Sequence, residues 1–334
     1  DDTTGVGRGK AETPPEPGAQ PPESPEQLPA DSDEQLDEQI HPGLRSHRGA
    51  MGDRIFSYLA RGTGFFVVVL VAGIGIALII NAIPAMVANH GNFIFSSDWD
   101  VSSSNFDNDT VRFGIWELFR ATVLTSLFAL VIATPIAIGI AVFLVEYAPR
   151  QIARPLAAVI DLLAAVPSII FGLWGIYILA PVIAPVAGWL NDVLGWFFLF
   201  SAGSTSVRGG GTIFTAGVVL AIMMLPIITS ITREVLRQTP PGQKEAALAL
   251  GATKWEVIRM TSFPYGRSGM IAAAMLALGR ALGETIAVMI ILSAAVGRLK
   301  WSLFEGGDTF ASKIARDVGE FVGSQDTQSA YIAA

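Results

Sequence analysis

The sequence contains no cysteine, so disulfides, iron–sulfur ligation and thiol catalysis are excluded together. Its three histidines, His41, His47 and His90, are too scattered to build a metal site. No Gly-x-x-x-x-Gly-Lys-Ser/Thr run occurs, and the glycines of "RGGGT" at 208–212 follow no strand pattern, so the chain carries no nucleotide-cradling loop of that kind. Charge is also scarce: 15% of the 334 residues are charged and 51% hydrophobic. With a mean hydropathy of +0.50, a single soluble domain is excluded.

What charge there is lies unevenly. The formal net charge is −7, but residues 1–44 alone sum to −9 and the rest to +2. Residues 1–50 are read as a disordered, acidic, Pro-rich cytoplasmic tail. Its Pro, Glu, Gln and Ser content buries too little apolar surface to offset ordering entropy.

Residues 51–334 read as an all-α polytopic membrane bundle. Apolar runs at about 65–88, 115–145, 156–183, 213–231 and 269–296 are each long enough to cross a hydrocarbon core of about 30 Å. A sixth span is expected to begin at about 329 and to be truncated here. Arg54 and Arg61 precede the first run, Arg150 and Arg154 separate the second from the third, and Arg233, Arg237, Lys244, Lys254, Arg259 and Arg267 lie between the fourth and fifth. If these basic segments are all cytoplasmic, so is the amino terminus. Residues 186–200 are read as an amphipathic helix lying at the outer interface, with Trp189, Val193, Trp196 and Phe197 on one side.

The loop at 233–268 is expected to be a helix, a turn and a second helix. Pro240, Pro241 and Gly242 stop the incoming span, and Gly251 terminates the run of helix formers from Gln243 to Leu250. Thr253 and Glu256 have the spacing of a capping box, and the second helix should end or kink before Pro264. A narrow face of Ala246, Ala247, Ala249 and Leu250 suits a partner's groove, although a solvated hairpin fits the same pattern.

"EAALALGATKWEVIRMTSFP" resembles the EAA loop of ABC importer permeases at Glu245, Ala246, Ala247, Gly251 and Pro264. Thr261 and Phe263 depart from the usual Ile and Leu of that loop. "ATPIAIGIAVFLVEYAP", "LAAVPSIIFGLWG" and "LGRALGETIAV" are similar to segments of the PstC-type phosphate permeases. The resemblance implies a type I importer permease without catalytic residues of its own, in a bacterial inner membrane. It further implies that those five loop residues couple to an ATPase chain holding ATP and Mg. The implied partners are a PstA-like permease, two PstB-like ATPase subunits and an extracytoplasmic PstS-like phosphate-binding protein.

Arg280 and Glu284 stand inside the fifth apolar run, where each unpaired charge costs about 2.5–3.5 kcal/mol. Four residues apart on one helix, they are expected to share a face and pair. Arg offers a fixed fork of donors suited to an oxyanion. The resemblance places both on the translocation path; there Arg280 is expected to attract phosphate while Glu284 competes for the guanidinium, the alternative being a structural pair that selects helix register. Arg120, with Thr122 and Ser126, either lines the outer mouth or snorkels to headgroups. Asp161 reads as a gate or a cap. Gly279 and Gly283 form a small-xxx-small pair for close helix approach. The expected function is therefore half of the pathway of an ATP-driven phosphate importer. Alternatives are a permease for molybdate or sulfate and a membrane component serving mainly phosphate signalling.

Overall fold

The computed structural model describes residues 47–293, 300–319 and 325–334. The tail up to residue 46, the end of the fifth apolar run at 294–296 and part of the segment that follows it lie outside the described residues. The chain divides into two compact units, Asp1–Ala72 and Gly73–Ala334. Of the first, the described part is the beginning of α1 (His47–Ala88), whose Phe56, Phe65 and Val68 are exposed, as a lipid-facing surface requires.

In the second unit, a short antiparallel pair, β1 (Trp99–Asp100) and β2 (Arg112–Phe113), flanks α2 (Ser103–Asp107). Next come α3 (Trp116–Val142), extended by a π-helical turn (Phe143–Tyr147), and α4 (Arg150–Ala164). α5 (Ser168–Trp174) runs through a second π-turn (Gly175–Leu179) into α6 (Ala180–Leu194). The long α7 (Ile213–Arg237) leads to the loop helices α8 (Pro241–Ala249) and α9 (Lys254–Val257). A third π-turn (Ile258–Ser262) enters α10 (Phe263–Leu282), followed by α11 (Ile286–Ile291), α12 (Phe310–Arg316) and α13 (Gln325–Ala333).

The core is the α3–α7 pair. α3 buries Ala121, Ala129, Ala133, Ala137 and Ala141 at four-residue spacing, with Thr125 in the one intervening place. Small side chains on that stripe let the backbones approach, and Thr229 Oγ1 of α7 donates to the Ala137 carbonyl at 3.4 Å. α7 fills the remaining space with Val219, Leu220, Met224 and Ile228. α10 reaches α7 by the same device. A Cβ on Gly269 would lie 2.5 Å from Val235 Cγ2, and Ala273, Ala277 and Ala281 continue the buried stripe.

Four helical stretches are long and apolar enough to cross a membrane: Arg54–Ala88, Trp116–Tyr147, Ser168–Leu194 and Ile213–Arg237. The third differs from the expected 156–183. α4 ends at Ala164, and Pro167, with extended ψ of 137°, starts a new helix at Ser168. Pro181 then fails to interrupt it, because the preceding π-turn and its place in the first turn of α6 remove the need for its missing N–H. The expected interfacial helix at 186–200 is corrected accordingly: residues 186–194 are the end of α6, and only Phe198–Phe200 form a separate short turn. The fifth expected span is not continuous either, since the helix stops at Leu282 and resumes at Ile286.

At one end of the bundle, residues 300–309 form a strap across the start of α7. Phe214 N–H donates to the Leu303 carbonyl at 2.7 Å, Ile213 N–H to that of Glu305 at 2.8 Å, and Leu303 N–H to that of Leu199 at 2.8 Å. Within it, Leu303 and Phe304 are fully buried. A smaller cluster joins Val101, Val111 and Phe113 to Ala330 and Tyr331 of α13, the helix that contains the expected start of a further span.

Candidate functional site

The loop at 233–268 folds from its own sequence signals. Pro241 occupies the first turn of α8, where its missing N–H costs nothing, and Gly251 takes φ +85°, the left-handed conformation that closes the helix. The Thr253–Glu256 capping box is formed at α9, with Thr253 N–H donating to Glu256 Oε2 at 2.8 Å. That bond holds the exposed Glu256 carboxyl below the usual carboxylate range. The second helix does not stop before Pro264. It passes through the π-turn into α10, with Pro264 in the first turn, where proline is tolerated.

On α8, Glu245, Ala246 and Ala249 are exposed, whereas Ala247 turns inward and is buried. Gly251 and Pro264 are exposed as well. Leu250 is 87% exposed, and Leu248 and Trp255 stand out beside it, leaving an apolar surface without a partner among the described residues. The loop is fastened from behind by a residue that the sequence reading missed. Glu146, in the π-turn ending α3, pairs with Lys244 at 2.6 Å and accepts from Ser262 Oγ at 3.2 Å. Its signal was a lone acid, in "FLVEYAP", at the end of a span facing a basic loop.

Arg280 and Glu284 line one small hollow with Leu220, Met223, Met224 and Ala281, but they do not form the expected ion pair. The chain leaves the helix at Leu282, so the four-residue alignment is lost. Glu284 instead accepts from Ala287 N–H at 3.4 Å, at the start of α11. Arg280 is exposed and has no hydrogen bond or ion pair among the described residues. The hollow encloses about 10 Å³, about one water's room, so an oxyanion needs it to widen.

Arg120 neither snorkels nor lines an open mouth. It is fully buried, donates from Nη1 to the Lys300 carbonyl at 2.7 Å, and has Nη2 2.7 Å from Glu117 Oε2, an approach driven by charge rather than hydrogen-bond alignment. Thr122 Oγ1 donates to the Leu118 carbonyl and accepts from Phe310 N–H at 3.2 Å, while Ser126 is buried in the helix contact. Arg120 fastens the strap to α3, and Thr122 fastens the start of α12. Glu305 extends the fastening: it is 1% exposed and accepts from Lys300 N–H and Ser204 N–H, each at 3.0 Å. Nothing in the sequence marked it. Asp161 pairs with Arg233 of α7 at 3.2 Å. Gly279 meets nothing within 4 Å and Gly283 only its own turn, so the close approach of α10 to α7 falls at Gly269 and not at this pair.

The sequence model for "Binding-protein-dependent transport system inner membrane component" matches residues 133–323. The Mycobacterium tuberculosis "Phosphate transport system permease protein PstC 2" is 57% identical over 283 residues, covering 85% of this chain and 86% of the relative. The Mycobacterium leprae PstC is 56% identical over 282 residues, 84% and 87% of the two chains. The Xylella fastidiosa PstC is 39% identical over 284 residues, 85% of each. The helical multi-pass bundle agrees with that likeness. The chain belongs to the binding-protein-dependent transport inner-membrane component family, among its PstC permeases, as a non-catalytic membrane subunit of an ABC transporter.

Proposed function

We propose that the chain carries inorganic phosphate across the bacterial inner membrane as one half of the pathway of an ATP-driven importer. The observation that carries this reading is Arg280: an exposed guanidinium between α7 and α10, with no protein counterion among the described residues. A cation kept unpaired there has its forked donors free for an oxyanion. Glu284, in the same hollow, limits how tightly the anion is held, and weak binding suits passage.

The other half of the pathway is a PstA-like permease. A PstS-like binding protein delivers phosphate, since the acidic Asp98, Asp100, Asp107 and Asp109 of the first external loop repel free anions. Two PstB-like subunits hold ATP and Mg and receive α8 through Glu245, Ala246 and the exposed Leu250. The basic loops favour a cytoplasmic side for α8 and the amino terminus.

Phosphate uptake into proteoliposomes by the assembled complex tests this reading. The Arg280→Gln complex is expected to assemble and hydrolyse ATP while losing uptake at least tenfold, the worth of one charge-assisted contact. Unchanged uptake would remove Arg280 from the pathway. Uptake suppressed equally by molybdate or sulfate would reassign the solute.

A further inference from the structure

A second basic site lies at the end of the bundle that carries the coupling loop. Ile138 of α3 and Phe263, Pro264 and Met270 of α10 wall a cleft of about 510 Å³, rimmed by Arg259 and Arg267. No acidic residue lines it. Both arginines are exposed, and neither has a hydrogen bond or ion pair among the described residues. Their carrying segments, the π-turn and α10, set them eight residues apart.

Beside the cleft, the face of α10 that carries Arg267 is apolar. From Arg267, Ile271 and Met275 follow at four-residue spacing along α10, 55% and 59% exposed. That stripe runs about 12 Å along the helix. An apolar track headed by two unneutralised guanidiniums has the layout of a phospholipid: acyl chain along the helix, anionic headgroup at the rim. We propose that this cleft binds an anionic phospholipid. A zwitterionic lipid fits the track but offers the arginines an internally neutralised headgroup, and an inorganic anion fits the rim but leaves the track bare. Basic pockets between membrane helices near the headgroup level recognise acidic lipids for this reason. The site is separate from the Arg280 hollow and does not depend on which solute crosses.

The test is native mass spectrometry of the assembled complex released from nanodiscs containing equal phosphatidylglycerol and phosphatidylcholine. The wild-type complex should retain phosphatidylglycerol in preference. Each basic side chain near a membrane surface changes binding about fivefold, so Arg259→Gln/Arg267→Gln should lose retention roughly thirtyfold. Ile138→Trp, which fills the cleft and leaves both arginines, should lose it too, and this variant decides the matter if the double variant does not assemble. A photo-crosslinker at Met275 should label lipid. Equal retention of the two lipids, retention unaffected by both variants, displacement by millimolar inorganic phosphate, or crosslinking to a polypeptide would each overturn the proposal.

Discussion

Arg120 is a full charge with no exposed surface, held by Glu117 and by the Lys300 carbonyl. Removing one member of a buried pair leaves the other uncompensated, which costs about 3–5 kcal/mol. Arg120→Met is therefore expected to lower the unfolding free energy of the purified chain in detergent by about that much. Adding Glu117→Leu should recover part of the loss, because two apolar side chains need no partner. Recovery would be absent if the strap contact, not the ion pair, carried the energy. Arg280 is the contrasting case, an arginine the fold leaves unused. The sequence shows both as charges in apolar runs with an acid three or four residues away, and it does not reveal that Arg120 is also held by a backbone carbonyl 180 residues on or that the Arg280–Glu284 spacing is broken.

Elements differ in how openly the sequence declares them. α8, Gly251 and the capping box are legible because each rests on local rules of proline, left-handed glycine and side-chain caps. The break at 283–285 is not legible, since no proline marks it and "LGRALGETIAV" has the spacing of one helix. Glycines likewise look alike in the sequence but not in their surroundings. Gly269→Ala would push a Cβ to 2.5 Å from Val235 Cγ2, so it should destabilise the chain by about 1–3 kcal/mol. Gly279→Ala, in open space, should stay within about 0.5 kcal/mol. Denaturant unfolding of the two variants in detergent compares them, and equal losses would refute the packing of α10 on α7.

The capping box adds a pH dependence to the loop. Glu256 has its folded pKa lowered by the Thr253 backbone bond, so its contribution is present above the ordinary carboxylate pKa and is lost as pH falls through the lowered value. Amide hydrogen exchange at 254–257 should therefore lose protection on acidification below about pH 4.5, after correction for the intrinsic exchange rate. In Glu256→Gln, which can still bond the Thr253 amide without titrating, that loss should be much smaller.

For the whole molecule, composition was the strongest guide: a chain with 51% hydrophobic residues and basic loops between apolar runs announces a membrane bundle. The third boundary went astray because Pro167 and Pro181 look equivalent in sequence, yet only Pro167 separates two helices. The strap was invisible to pattern reading, because its stability comes from backbone bonds to Leu199, Ile213 and Phe214 rather than from any periodicity.

α3 carries a fastening at each extremity. Glu146 grips Lys244 and Ser262 at one end, and Arg120 and Thr122 grip Lys300 and Phe310 at the other. Between them lie about 39 Å of helix, with Pro135 as a built-in point of give. The helix thus works as a tie-rod: neither the α8–α9 loop nor the strap can shift far without loading it, bending it at Pro135 or releasing one of its clasps.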